Sequence, residues 1–402
     1  VSRPERGAPR SIAILGDFPH HRGDDGRIWG LEPVVAQLDC WGALFERTVL
    51  CGPLLPGPPP SGFAPYETPG VELVELPRAG GNTLVAKLGL LPRLPAWAWR
   101  TRRVARSVDA VHLRCPCNIG LVAIFSTWRA ARYRYAIYAG VWRPYAGEPR
   151  FFGAQRALLA SRRFGGPVSV YAERDPARPH LEPFFSPSFG RTDWEAAATA
   201  VASKRADLLA RPERGPWRFV VVGRLTPNKN QQAAVRAVGE LVAGGLDASL
   251  EVLGEGPQLE ALEALARDLG IADRVHFRGM VDLATVNETF ARSDLQILST
   301  RQEGYGKVLL EGMVHGVVPL LTHSPASPAI AGDGSRGLLI DPEDPSTVAA
   351  AARSLIDDRP RWVAMVDDAR RFTEGRTLEA FAEAVRELLE RQWDVELPAV
   401  AR

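Results

Sequence analysis

Short apolar runs alternate with amphipathic segments along the whole chain. In the first half the runs predict strands at Ser11–Gly16, Arg47–Cys51, Val71–Leu76, Asp109–Leu113, Tyr135–Ala139 and Val168–Tyr171. Helical spacing of the apolar positions predicts helices over 29–44, 96–107, 118–132 and 151–163. In the second half strands are predicted at Phe219–Val222, Ser249–Leu253, Val275–Phe277, Leu295–Leu298, Val317–Leu321 and Gly337–Ile340. Helices are predicted there over 229–243, 257–268, 283–291, 306–315, 345–357 and 360–372. Strand–helix–strand alternation implies an α/β chain with parallel sheets and right-handed crossovers. Two successive units of this kind predict two Rossmann-like domains with parallel sheets facing a central cleft. The seam is expected near 186–216, where Ser186-Pro187-Ser188 and Arg211-Pro212-Glu213-Arg214-Gly215-Pro216 flank a helical pattern, Trp194–Leu209. Gly52–Pro60 reads as a long surface loop, and a final helix over 377–392 is expected to cross back to the first domain.

Charge sharpens this division. Residues 1–190 hold 24 basic and 15 acidic residues, and residues 191–402 hold 25 and 32. Two halves of opposite sign suggest different partners, while a net charge of +2 argues against a whole-protein nucleic-acid binder. No segment approaches 18 uninterrupted apolar residues, so no transmembrane helix is expected. The opening Val1-Ser2-Arg3-Pro4-Glu5-Arg6 leads into no signal-peptide apolar region. Four cysteines in 402 residues make no disulfide framework, so a reducing cytoplasm is the expected compartment. Only four of the 49 basic residues are lysines, namely Lys87, Lys204, Lys229 and Lys307.

Two loops carry candidate chemistry. Phe219–Val222 runs into Gly223-Arg224-Leu225-Thr226-Pro227-Asn228-Lys229, and a helical pattern follows. A Gly after a strand lets the backbone turn sharply. Two cations beside helix N-terminal amides suit a diphosphate, although the spacing is not that of a Walker A loop; two solvated surface cations are the alternative reading. Leu295–Leu298 leads to Ser299-Thr300-Arg301-Gln302-Glu303-Gly304-Tyr305-Gly306-Lys307-Val308-Leu309-Leu310-Glu311. Gly304 and Gly306 permit close approach by a ligand, and amides near Gly304–Lys307 can hold phosphate oxygens. Glu303 lies in the loop and Glu311 about 8 Å further along the following helix. Two carboxylates with a phosphate-sized gap between them suit a ligand with a hydroxyl-rich group at each end, as in a sugar–diphosphate–nucleoside.

Glu303…Glu311 with Gly304-Tyr305-Gly306 resembles the E-x7-E motif of retaining family-4 glycosyltransferases of GT-B fold. Gly223-Arg224-Leu225 with Lys229 is similar to their diphosphate loop. Val252-Leu253-Gly254-Glu255-Gly256-Pro257, Val275-His276-Phe277-Arg278-Gly279 and Gly334-Ser335-Arg336-Gly337-Leu338-Leu339-Ile340 agree with the family in order and spacing over about residues 217–375. The resemblance implies a GT-B fold with an acceptor-binding domain at 1–188, a linker region at 189–216, a nucleotide-sugar donor domain at 217–376, and a C-terminal helix and tail at 377–402. It implies a UDP- or GDP-linked sugar as donor, a hydroxyl acceptor, no cofactor and no bound metal. Arg224 and Lys229 would neutralise the leaving diphosphate, Glu303 would contact the donor sugar and Glu311 the ribose hydroxyls. Backbone near Arg278–Val281, with Met280, would hold the base, and Gly223, Gly304, Tyr305, Gly306, Lys307 and Val308 complete the donor-binding set. The sequence departs from the family at Gly312, where alanine is common, and at Pro325-Ala326-Ser327-Pro328-Ala329, which lacks a customary glutamate.

In this fold the first domain binds the acceptor. Its first loop, Gly16-Asp17-Phe18-Pro19-His20-His21-Arg22-Gly23-Asp24-Asp25-Gly26-Arg27, is glycine-rich but lacks the nicotinamide-site pattern. Gly16, Asp17, Gly23, Asp24, Asp25 and Gly26 are therefore acceptor-side candidates. Trp142 and Arg143 join them, as a stacking surface and an anion contact; aromatics capping a core edge are the alternative. Basic and aromatic residues cluster at 97–106 and at 128–135, where they predict either peripheral contact with an anionic membrane on its inner face or a solvated helix face. His112-Leu113-Arg114-Cys115-Pro116-Cys117 lacks zinc-site spacing and reads as a buried strand end. A non-catalytic nucleotide-sugar-binding partner subunit, or another GT-B enzyme such as a nucleotide-sugar epimerase, are the competing functions.

Overall fold

A computed structural model describes residues 7–77 and 91–399, so Lys87 lies outside the described residues. The chain divides into two units, one of residues 1–186 with 378–402 and one of residues 187–377. The first unit runs β1 (Ser11–Leu15), β2 (His20–Arg22), β3 (Ile28–Leu31), α1 (Glu32–Gly42), β4 (Arg47–Gly52), β5 (Phe63–Pro65), β6 (Val71–Glu75), α2 (Leu94–Ala105), β7 (Ala110–Cys115), α3 (Asn118–Ser126), β8 (Tyr133–Tyr138), α4 (Arg150–Ala160), β9 (Val168–Val170) and β10 (Leu181–Pro183). Seven of these strands form a parallel sheet in the order β10-β9-β8-β7-β1-β4-β6. The interior strand β1 buries Ile12, Ala13, Ile14 and Leu15 completely, because a parallel strand covered on both faces reads as a continuous apolar run.

Two expectations need correction here. Residues 29–31, expected to open a helix, belong to β3, and the glycine-rich loop 16–27 contains β2. Together with β5 these strands make a second, antiparallel sheet in the order β2-β3-β5. Strands of three or four residues are too short to display an alternating pattern, and their pairing with Phe63–Pro65 is set by tertiary contact. The helix predicted over 118–132 ends at Ser126, and Arg129 takes a positive φ of 56° just beyond it.

The second unit runs α5 (Arg191–Ala196), α6 (Ala198–Ala210), β11 (Trp217–Val222), α7 (Gln231–Ala243), β12 (Ala248–Leu253), α8 (Leu259–Asp268), β13 (Val275–Gly279), α9 (Leu283–Arg292), β14 (Leu295–Leu298), α10 (Lys307–Val314), β15 (Val318–Thr322), α11 (Ser327–Ala331), β16 (Leu338–Ile340), α12 (Pro345–Asp357) and α13 (Arg359–Glu374). Its sheet is parallel in the order β13-β12-β11-β14-β15-β16. The order reverses between β11 and β14, and ligands of such sheets bind outside the carboxyl ends of the strands at that switch point. Residues 189–216, read from the sequence as linker, include α5 and α6 and are part of this unit. The chain then forms α14 (Leu378–Trp393), which belongs to the first unit. There Trp393 lies against Tyr133, with ring centroids 5.0 Å apart, and donates its indole N–H to the Arg134 carbonyl.

Lys204 of α6 is buried, and its ammonium donates to the carbonyls of Phe290 (3.0 Å), Ser293 (2.6 Å) and His315 (2.7 Å). These are the carboxyl ends of α9 and α10, where orphan carbonyls and the helix dipole favour a cation. Burial pushes the Lys204 ammonium down to about 7, and the nearby Asp294 carboxylate opposes that push. Lys204→Met is expected to lower the unfolding free energy by about 2–4 kcal/mol, because it strands three buried acceptors; urea denaturation measures it.

The loops after β11 and β12 are joined through their backbones. Gly223 N donates to Leu253 O at 2.8 Å, and Leu225 N donates to Glu255 O at 2.8 Å. Gly254 N in turn donates to Gly279 O at the end of β13, also at 2.8 Å. Gly254 has φ 137°, and a Cβ there would lie 2.1 Å from the Gly223 oxygen. Gly254→Ala is therefore expected to destabilise the second unit by about 2 kcal/mol through backbone strain and displacement of the neighbouring loop. A lowered melting temperature with an unchanged circular dichroism spectrum at 20 °C (about room temperature) is the expected result.

Candidate functional site

The site is built on two loops that leave adjacent strands. β11 and β14 pair in parallel, with Phe219 opposite Leu295 and Val220 opposite Gln296. The loops that follow are tied together by reciprocal bonds: Asn228 Nδ2 donates to Gln302 O (3.1 Å), Gln302 N donates to Asn228 Oδ1 (3.2 Å), and Arg301 N donates to Asn228 O (2.9 Å). Ser299 Oγ adds a bond to Asn230 O at 2.8 Å. Asn230, with φ 52°, is the residue at which α7 begins.

This locking brings Lys229 and Glu303 into an ion pair, with Nζ 2.7 Å from Oε2. Both side chains are partly open to solvent, Lys229 at 30% and Glu303 at 17% exposure. The other Glu303 oxygen accepts from Gly304 N at 3.1 Å. Arg224 lies on the neighbouring turn with its side chain exposed, and among the described residues its guanidinium has no hydrogen bond or ion pair. The backbone of that turn is held by Gln231 Nε2, which donates to Arg224 O at 2.9 Å. Gly223, Arg224, Lys229, Glu303 and Gly304 thus gather at the carboxyl edge of β11 and β14.

Gly306 begins α10 with φ 71°, and Lys307 is the first helical residue. Val308 packs with Val222 and Val281 against Phe290 and Leu253, so its side chain forms apolar floor. Tyr305 hydrogen-bonds Arg376, whose guanidinium also lies 3.5 Å from the centre of the Phe372 ring. Glu311 is half-buried on α10 and accepts a hydrogen bond from Ser188 Oγ. The customary alanine is absent after Glu311 for a packing reason: a Cβ on Gly312 would lie 2.5 Å from Gln296 Oε1. That glutamine amide donates to Val308 O at 3.1 Å.

At the β13 end, expected to hold the base through backbone, some groups already have protein partners. The Arg278 guanidinium is committed to Glu251, at 2.7 and 3.0 Å. The Met280 amide already donates to Glu255 Oε1 at 3.3 Å, while the Met280 side chain is exposed. Ser188, Asn228 and Glu255 are polar positions that sequence reading passed over. Each has a partner far away in the chain; Asn228 and Glu255 lie in stretches quoted for the family resemblance, which gave neither of them a role.

On the first unit, Gly16 and Asp17 follow the end of β1, with Gly16 N bonded to Cys51 O at 3.1 Å. Gly23, Asp24, Asp25 and Gly26 form the tip of the β2–β3 hairpin, closed by Gly23 N to Arg27 O at 3.0 Å and by Arg27 N to Asp25 Oδ1 at 3.0 Å. The structure therefore separates these four from Gly16 and Asp17. Trp142 sits edge-on to Tyr138 with centroids 5.1 Å apart, on the rim of the core, and Arg143 is exposed. His20 and His21 are buried against Phe18 and Phe63, and burial pushes His20 down to about 4. His112 is packed between Trp41 and Tyr135, as befits a buried strand. Among the described residues no group of three or more His, Cys, Asp or Glu side chains is arranged to hold a metal ion.

Residues 210–374 match the profile of the family described as glycosyl transferases group 1. Over 178 residues the chain is 34% identical to the GDP-mannose-dependent α-(1-6)-phosphatidylinositol monomannoside mannosyltransferase of Mycobacterium tuberculosis, covering 42% of this chain and 45% of that protein. It is 34% identical over 158 residues to the D-inositol 3-phosphate glycosyltransferase of Corynebacterium kroppenstedtii, covering 37% and 34%. The chain thus spans less than half the length of these curated relatives. In fold it is similar to HepE of Anabaena crystallised with UDP-glucose, with a TM-score of 0.68 at 16% identity over 95% of this chain and 99% of that one. Residues 210–374 thus carry the profile of the glycosyl transferases group 1 family, and the chain has a two-domain α/β fold of the GT-B kind.

Proposed function

We propose that the protein is a retaining glycosyltransferase that moves a sugar from a UDP- or GDP-linked donor to a hydroxyl acceptor without a metal ion. The observation that carries this reading is the Lys229–Glu303 pair on two mutually locked loops at the switch point of a group 1 family domain. The similarity to a GDP-mannose-dependent enzyme and to a protein crystallised with UDP-glucose supports a nucleotide-sugar donor. In the reaction, the bond between the sugar anomeric carbon and the diphosphate oxygen breaks. A bond to the acceptor oxygen forms on the same face, and the acceptor proton passes to the departing phosphate. Charge builds on that diphosphate, where Arg224, Lys229 and the amides near Gly304–Lys307 stabilise it; losing one such donor typically costs about 3–4 kcal/mol of barrier. Glu303 holds the donor sugar, and Glu311, oriented by Ser188, holds the ribose.

Because Lys229 and Glu303 neutralise each other before a donor binds, their substitutions should have opposite effects on product affinity. Lys229→Ala is expected to weaken nucleoside diphosphate binding about 10- to 100-fold, with little change for the nucleoside. Glu303→Gln should leave that affinity unchanged or tighter while abolishing transfer and slow donor hydrolysis. Calorimetry and a donor-hydrolysis assay read both. Equal losses for nucleoside and nucleoside diphosphate in Lys229→Ala would remove the diphosphate role. Tight nucleotide binding by the native protein with no turnover of any donor would point to a non-catalytic binding subunit.

The acceptor reading includes peripheral contact with an anionic membrane. Trp99, Phe125 and Trp128 are 60%, 57% and 51% exposed. Arg103 lies over the Trp99 ring and Arg129 over the Trp128 ring. Exposed aromatics beside cations suit the headgroup region of a bilayer. Arg100 and Arg102 instead donate to the carbonyls of Glu75 and Ser126 and so serve the fold. Joint replacement of Trp99, Arg103, Trp128 and Arg129 by Ser should lower partitioning onto phosphatidylglycerol vesicles about tenfold or more at unchanged melting temperature; unchanged partitioning would make this a solvated face.

A further inference from the structure

The first unit holds a cavity of about 450 Å³ at the end of its sheet opposite to the acceptor-side candidates. It is lined where β8, β9 and β10 begin, by Arg132, Arg134, Arg162, His180 and the aromatic residues Tyr133 and Trp393. Gly16, Asp17 and Trp142 lie beyond the carboxyl ends of the strands, and β8 alone puts about 17 Å between the two ends. A volume of this size is ordinary for a small-molecule site.

Its charge is one-sided. Arg132 and Arg162 are exposed, and among the described residues neither forms an ion pair with a carboxylate. Arg134 is buried, with its guanidinium held by the carbonyls of Phe164 and Ile124. The nearby acids are already committed. Asp109 accepts from Arg10 N, Ser11 N and Ser11 Oγ, and Glu182 is taken by Arg174, Arg391 and Gln392. Around the cations, three buried polar atoms have no protein partner: Tyr133 Oη, Arg134 Nε and His180 Nδ1. Buried polar groups are normally paired, and three orphans among the residues lining one cavity leave room for a ligand to pair them. Tyr133 and Trp393 pack on each other with centroids 5.0 Å apart, and the Arg132 guanidinium lies over the Tyr133 ring, 5.1 Å from its centre, which holds that cation at the cavity.

We propose that this cavity is a second ligand site, for a phosphomonoester carried on a body the size of a monosaccharide, held by Arg132 and Arg162 at the mouth and Arg134 at the base. Such a group occurs both free, as a sugar phosphate, and at a membrane surface, as a phosphatidate headgroup. The test is calorimetry of the full chain with glucose 1-phosphate, with glucose as control, and sedimentation with vesicles of phosphatidylcholine containing phosphatidic acid, with phosphatidylglycerol as the diester control. Arg132→Ser with Arg162→Ser alters only exposed side chains, and a melting curve checks that it folds. Lys229→Ala reports on the donor loops.

The expected result is binding of glucose 1-phosphate or of phosphatidate vesicles that persists in Lys229→Ala and falls about tenfold or more in the Arg132/Arg162 double variant. Binding of the soluble ester assigns a free metabolite, and binding of the vesicles alone assigns the lipid. The proposal is overturned if neither probe binds, if glucose binds as well as its phosphate, if the double variant lowers binding to the diester vesicles as much as to the phosphatidate vesicles, if the double variant binds like the native protein, or if Lys229→Ala loses as much as the double variant.

Discussion

The parallel pairing of β11 with β14 is the constraint on which the second unit's site depends. Two strands distant in sequence come to lie side by side only because the sheet reverses direction there, and the loops that leave them must then share one edge. Asn228 and Gln302 turn that proximity into fixed geometry by exchanging hydrogen bonds, so that Lys229 and Glu303 meet at 2.7 Å. Backbone bonds from Gly223 and Leu225 to the β12 loop hold the opposite side.

Much of that frame is legible in the sequence, and the reason is physical. A parallel strand buried on both faces has to be apolar throughout, so Phe219–Val222 and Leu295–Leu298 stand out as runs, and the glycines after them mark sharp turns. The second unit's helices begin and end within a few residues of the expected positions for the same reason: their apolar stripes are local. What escapes sequence reading is set by distant partners. β2, β3 and β5 are too short to carry a period and exist through one another. Ser188 looks like part of a connecting segment until α10 brings Glu311 to it. Glu255 gives no sign that it will occupy the Met280 amide.

Charge counting misleads for a related reason. The arginine excess of the first half suggests a broadly cationic surface, yet many arginines throughout the chain act inwardly. Arg134 donates to two carbonyls inside the first unit. In the second unit Arg370 joins Val314 O to Trp194 O, and Arg359 joins Leu208 O to Arg211 O. A guanidinium offers five donors in one plane and can pair several carbonyls at a loop or helix end without being neutralised. Formal charge in such a chain overstates free surface charge, and the informative arginines are those without such work, among them Arg224, Arg132 and Arg162.

Lysine does the complementary job where a point charge is needed. Lys204 and Lys229 show the two extremes within one unit. Three carbonyls surround the first, which ties the ends of α9 and α10 together and thereby sets where α10 presents Glu311. The second has one partner, a carboxylate, and partial access to solvent. An ammonium shared with a single, partly solvated carboxylate can exchange partners, so on the proposed role an incoming diphosphate, carrying more charge than Glu303, would draw Lys229 over with little rearrangement of the locked backbone. On the proposed role, releasing Glu303 in the same movement would free its carboxylate for the sugar. On that reading the ion pair keeps both groups in place and electrically neutral until a ligand with a phosphate at one end and hydroxyls at the other would separate them.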